Sequence, residues 1–119
     1  MPTVLIVDDS RLAREMVKKT FAALYPDWNT LTAANGDEAL QVVTEASPDV
    51  AILDFNMPGM DGLTLASLLR ERYPELRIGI LTANVQDAIR QRASSLDCVF
   101  IPKPATEAKI RSFVTPDPD

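Results

Sequence analysis

The chain has 119 residues, 46% of them hydrophobic and 24% charged, and a formal net charge of −5. Those figures describe one globular domain long enough to bury its own core, with an acidic surface unsuited to sequence-independent contact with nucleic acid or an anionic membrane. The absence of histidine and the single cysteine, Cys98, exclude a histidine triad, a histidine metal site, a phosphohistidine and an internal disulfide.

The first element is a strand at 4–7, VLIV, an unbroken apolar run that ends on two adjacent carboxylates, Asp8 and Asp9. Over 10–24, Ala13, Val17, Phe21 and Leu24 recur at helical spacing, with Ser10 or Asp9 as N-cap. The stretch 28–33, WNTLTA, alternates and predicts a strand near a sheet edge. Asn35-Gly36-Asp37-Glu38 resembles a capping box, and the helix behind it sets Leu40, Val43 and Ala46 on one stripe before Pro48 stops it. A third strand, VAIL at 50–53, leads into Asp54. Asp61 then opens a helix carrying Leu65, Leu68 and Leu69. IGIL at 78–81 is the fourth strand, and Asn84 starts a helix with Ala88, Ile89, Arg92 and Ala93 in phase. CVFI at 98–101 is the fifth strand, at an edge because Pro102 cannot donate to a ladder. A short last helix carries Ile110, Phe113 and Val114. The domain is expected over 1–114, with 115–119 a frayed tail or a truncated linker. No apolar run approaches the ~18 residues of a spanning helix, and no leader pattern precedes the first strand, so a cytoplasmic protein is expected.

Strands joined through helices run parallel, and parallel strands are covered on both faces, which is why the runs are uniformly apolar. The fold class is therefore α/β, a doubly wound five-stranded parallel sheet with helices on both faces. Ligands of such sheets bind beyond the C-terminal strand ends. Asp8 and Asp9, Asp54, Thr82 followed by Asn84, and Lys103 all fall at that end. Three carboxylates brought together raise one another's pKa unless a cation compensates, and Lys103 alone is too little. Mg²⁺, which takes oxygen ligands and keeps room for a phosphate oxygen, is the natural complement. Turns at Gly59 and Gly62 let the backbone bend sharply after Asp54, aiming the Asn56 carbonyl inward.

With DDS at 8–10, LDFNMPGMDG at 53–62, TA at 82–83 and KP at 103–104, the chain resembles a two-component response-regulator receiver domain over about residues 3–113. The resemblance implies the flavodoxin-like strand order 2-1-3-4-5. It implies that Asp54 is the phosphoacceptor, that Asp9 binds Mg²⁺ directly with Asp8 acting mainly through water, and that the Asn56 carbonyl is a further ligand beside Asp54. Lys103 would pair with phosphoryl oxygens across a cis Lys103-Pro104 bond. Thr82 and the aromatic Phe100 would form the switch, and Asn56 and Asn84 would modulate dephosphorylation, though a plain helix cap suits Asn84 equally. The implied donor is a phosphohistidine on a sensor histidine kinase or phosphotransfer protein. A downstream target protein would meet the face made by the fourth helix, fifth strand and fifth helix.

Two departures from the family pattern lie near that face: SSLDCVF, with Asp97 where a glycine is usual, and a last helix of under three turns. Cys98 reads as a small buried apolar residue. Two other readings compete. A haloacid-dehalogenase-type phosphatase would use an aspartate nucleophile with Mg²⁺, but needs a carboxylic acid where Asn56 stands. A pseudo-receiver would use the fold for docking alone, against which the intact set of Asp8, Asp9, Asp54, Thr82 and Lys103 argues.

Overall fold

A computed structural model describes residues 2–115. Strands and helices alternate through the described chain: β1 (Thr3–Val7), α1 (Arg11–Leu24), β2 (Asn29–Ala33), α2 (Gly36–Ala46), β3 (Val50–Asp54), α3 (Gly62–Arg72), β4 (Arg77–Thr82), α4 (Asp87–Ser95), β5 (Val99–Pro102) and α5 (Glu107–Val114). All strand pairs are parallel, in the order β2-β1-β3-β4-β5. The expected order and both expected edges are therefore present. Of the tail expected over 115–119, residues 116–119 lie outside the described residues, and Thr115 caps α5 by donating its N–H to the Arg111 carbonyl at 2.8 Å.

Because side chains alternate along a strand, each strand feeds two cores. Val4, Ile6, Val50, Ile52, Leu81 and Ile101 meet Val17 and Phe21 of α1 and Ile110 and Phe113 of α5. Leu5, Val7, Ala51, Leu53, Ile78 and Ile80 meet α2, α3 and α4 on the other side. Continuing by twos, Asp54 falls on the α1/α5 side with Ile52, and Asp8 and Lys103 follow Ile6 and Ile101 to the same side. Thr82 and Phe100 share the side of Ile80, since Phe100 pairs with Ile80 and Pro102 with Thr82.

Helix starts follow local chemistry. Ser10, rather than Asp9, caps α1 by accepting the Ala13 N–H at 3.2 Å. Asn35 caps α2 by accepting the Glu38 N–H at 2.8 Å. Asp61 and Thr106 cap α3 and α5. Two expectations need correction. Ala46 is exposed at the last position of α2, and the buried stripe of the helix is Gly36, Ala39 and Val43, three and four residues apart, with Leu40 beside it. Asn84 does not start α4. Its side chain accepts the Gln86 N–H at 3.1 Å, closing a turn, and the helix begins at Asp87 behind an N-cap, Gln86, with no side-chain bond.

Candidate functional site

The strand ends bring Asp8, Asp9 and Asp54 together, with one carboxylate oxygen from each within 4.8 Å of the others. Asp8 and Asp54 are buried and Asp9 is exposed at the rim. Asp8 is held on three sides. Its N–H extends the ladder to the Ala33 carbonyl, its Oδ1 accepts the Ser10 N–H at 2.9 Å, and its carbonyl accepts Arg14 Nη1 at 2.8 Å. Burial pushes its carboxyl above the ordinary value, and the Asp54 and Asp9 charges push the same way. The Ser10 amide and the Lys103 ammonium pull against them.

Asp54 ends β3, and its Oδ1 stands 2.8 Å from Lys103 Nζ. Beyond that ion pair no hydrogen bond reaches the buried Oδ1 among the described residues. Lys103 is anchored from the backbone, its N–H donating to the Thr82 carbonyl at 2.9 Å, and the Lys103-Pro104 bond is cis, as the resemblance implied. The Thr82 side chain is buried, and its hydroxyl accepts the Asn84 N–H at 2.9 Å.

Asn56 is exposed in the segment between β3 and α3. Phe55 anchors that segment twice, donating to the Leu81 carbonyl at 2.8 Å and accepting the Gly62 N–H at 3.0 Å. Gly59 has a φ of +77°, a conformation that suits glycine. Gly62 was expected to serve the same bend but serves a different need. It has ordinary backbone angles, and a Cβ there would run into the Asp54 carbonyl and the Phe55 backbone. It lets α3 start against the strand that carries Asp54.

Phe100 is half-buried on β5, with the Arg90 guanidinium of α4 4.4 Å from its ring centroid. Asp97 takes a φ of +57° before β5, as the missing glycine requires. Arg70 of α3 fixes that loop by donating to the Leu96 and Asp97 carbonyls at 2.9 and 3.1 Å. Cys98 is buried, and burial raises its thiol pKa, which keeps it an unreactive thiol.

Asp8, Asp9, Asp54 and Lys103 contribute side chains to this cluster, and Thr82 joins it through its carbonyl, which accepts the Lys103 N–H. Asn84 bonds only Thr82 among these residues, and Asn56 and Phe100 bond none of them within the described residues. Arg14, Arg90 and Lys109 escaped sequence reasoning. Arg14 lies one helical turn beyond Ser10 and so can reach back to Asp8, a signal that spacing offered; Arg90 and Lys109 act across elements and left none.

Three acids facing one ammonium leave an anionic pocket at the strand ends. The family model described as "Response regulator receiver domain" matches residues 4–115. A protein of Mycobacterium tuberculosis described as probable transcriptional regulatory protein TcrX is 39% identical over 94 residues, 79% of this chain and 38% of that one. The chain thus spans about two fifths of the length of the curated relatives it matches. Among solved structures, the chemotaxis protein CheY4 of Vibrio cholerae is 31% identical, with 96% of each chain covered and a TM-score of 0.86. A CheX-CheY complex of Borrelia burgdorferi, which contains BeF₃ and Mg²⁺, has a chain 30% identical, with coverage of 95% and 86% and a TM-score of 0.86.

Proposed function

The chain belongs to the response regulator receiver domain family, and on that premise we propose that it accepts a phosphoryl group on Asp54 from a phosphohistidine of a sensor kinase or phosphotransfer protein. One observation carries the assignment: three strand-end carboxylates lie within 4.8 Å of one another, and the middle strand's Asp54 is paired to Lys103 at 2.8 Å.

The donor set fits Mg²⁺. It is all oxygen, its acids outnumber its single ammonium, and Asp54 Oδ1 is buried with no hydrogen bond beyond the ion pair. Asp8, Asp9, Asp54 and the Asn56 carbonyl would hold the ion, Asp8 mainly through water. When bound, Mg²⁺ supplies positive charge against the phosphoryl oxygens.

The chain's own groups do the rest. A carboxylate oxygen of Asp54 forms the new P–O bond as the donor's P–N bond breaks, the electron pair leaving on the imidazole nitrogen. Lys103 neutralises the equatorial oxygens, so the catalysis is positioning and charge. The Thr82 hydroxyl leaves the Asn84 N–H for a phosphoryl oxygen, and Phe100, on the same side of the sheet, moves into the room behind it. Asn56 and Asn84 flank the route by which water reaches the acyl phosphate and set its lifetime. The downstream partner reads the face of α4, β5 and α5. The chain catalyses its own phosphorylation and dephosphorylation and no other turnover.

Exposed Leu12 and Met16 on α1, beside a cavity of about 460 Å³ that reaches Asp8 and Lys103, support a protein donor resting there. A cytoplasmic location goes with this reading; no helix of the described residues is long and apolar enough to cross a membrane.

The test is incubation with Mg²⁺ and phosphoramidate, read by intact mass. One added phosphoryl group is expected, absent in Asp54→Ala and absent with chelator. Equal uptake by Asp54→Ala would overturn the assignment.

A further inference from the structure

The segment from β5 to α5 carries Lys103, yet within 102–106 it has little regular structure to hold it. Outside the β4–β5 ladder, its backbone bonds are Lys103 N–H to the Thr82 carbonyl at 2.9 Å, Thr106 N–H to the Pro104 carbonyl at 3.0 Å, and the Thr106 carbonyl accepting the Ile110 N–H at 3.0 Å as α5 begins. Neither Pro102 nor Pro104 has an N–H to contribute. The carbonyls of these two residues, one on each side of Lys103, instead converge on a single side chain. Lys109 Nζ, reaching back from the first turn of α5, donates to the Pro102 carbonyl at 2.9 Å and to the Pro104 carbonyl at 3.3 Å. Lys109 is itself half-buried. Its own N–H is bonded to the α5 N-cap, Thr106 Oγ1, at 3.3 Å, so the ammonium is tied to the same turn it braces.

We propose that Lys109 is a positioning residue for phosphoryl acceptance: by bonding the carbonyls on both sides of Lys103, it holds the Lys103 ammonium against Asp54. The proposal rests on the reading of Lys103 and Asp54 given above and adds a residue to it. A charged donor shared between two neutral carbonyls makes bonds stronger than neutral ones. The bonds close a short bridge around the one residue whose side chain must stay within hydrogen-bond distance of a buried oxygen. Without the bridge, the Lys103 backbone keeps a single anchor, the Thr82 carbonyl. Lys109 does not touch the pocket itself, because its Nζ is spent on the two carbonyls, so its effect passes through Lys103.

A double-mutant cycle tests this, with the rate of phosphorylation by phosphoramidate and Mg²⁺ followed by intact mass. Lys109→Met keeps the apolar stem and loses the donor. It should slow phosphorylation about five- to tenfold, short of the ~100-fold that a full ångström of misplacement can cost. Lys109→Arg, which keeps a long charged donor, should recover most of the rate. In a Lys103→Ala background, Lys109→Met should have no further effect, whereas a general loss of structure, or a direct action of the Lys109 charge on the donor, would slow that background too. A second readout needs neither metal nor donor. In metal-free Lys109→Met, the Lys103 amide should exchange with solvent about tenfold faster, while amides in the middle of β1 and β3 keep their protection. A wild-type rate in Lys109→Met, or an equal further loss in the Lys103→Ala background, overturns the proposal while leaving the reading of Lys103 intact. If Lys103→Ala alone reacts at the wild-type rate, that reading fails and the inference falls with it.

Discussion

Asp8 shows what the site demands of single side chains. It is buried beside Asp54, and burial first, then the neighbouring charges, raises its pKa. A carboxyl whose folded pKa exceeds its unfolded value binds its proton more tightly when folded. Its contribution to stability is full below the unfolded pKa, is lost as pH rises through the folded pKa, and stays absent above it. In the metal-free protein, Asp8→Asn should therefore raise the thermal midpoint at neutral pH by about 4 °C, the shift that roughly 1 kcal/mol produces in a domain of this size. The asparagine keeps an oxygen for the Ser10 N–H, so little else is disturbed. The gain should shrink as pH falls through the raised folded pKa and be gone below the unfolded value of 3.8. A midpoint that rises equally at all pH values would assign the effect to something other than charge. Gly62 is the steric counterpart. Gly62→Ala drives a Cβ into the Asp54 carbonyl and should cost about 2 kcal/mol or more in denaturant melts. Gly59→Ala meets open space and bears only the cost of its positive φ, about 1 kcal/mol.

The connections between helices and strands explain where the sequence was legible and where it was not. Strand positions were readable because buried parallel strands are continuous apolar runs, and β1, β3 and β4 fall within a residue or two of the expected spans. Caps at Ser10, Asn35 and Asp61 were readable because one side chain satisfies one nearby N–H. The start of α4 was not, because Asn84 has the chemistry of a helix cap and is spent on a turn. The three carboxylates, Thr82 and Lys103 could be grouped because strand ends converge by topology alone. Lys109 could not, since nothing local marks a lysine that folds back on carbonyls before its own helix. Arg70 is hidden for the same reason. It donates to the Leu96, Asp97, Pro74 and Leu76 carbonyls, joining α3 to the loops before β4 and β5. Arg70→Met should cost about 3 kcal/mol, read as a fall in thermal midpoint of roughly 10 °C. Phosphorylation should survive at temperatures where the variant is folded, because the staple sits at the opposite ends of the strands from Asp54.

For the molecule as a whole, holding three acids together at one end of the sheet costs stability. The sheet gathers like charges that repel in the free protein and that a cation relieves, so Mg²⁺ should stabilise the folded chain by mass action. At a hundred times its dissociation constant the gain is about 2.7 kcal/mol. Thermal melts with and without Mg²⁺ should separate for the native chain and nearly coincide for Asp9→Ala combined with Asp54→Ala; equal separation in both would place the ion elsewhere. The central claim is that one carboxylate, at the end of the middle strand, becomes an acyl phosphate. The direct measurement is reduction of the phosphorylated protein with borohydride, which converts an aspartyl phosphate to homoserine, followed by peptide mapping. Homoserine at residue 54 is the predicted product; homoserine at residue 8 or 9, or phosphate retained through reduction, contradicts the account.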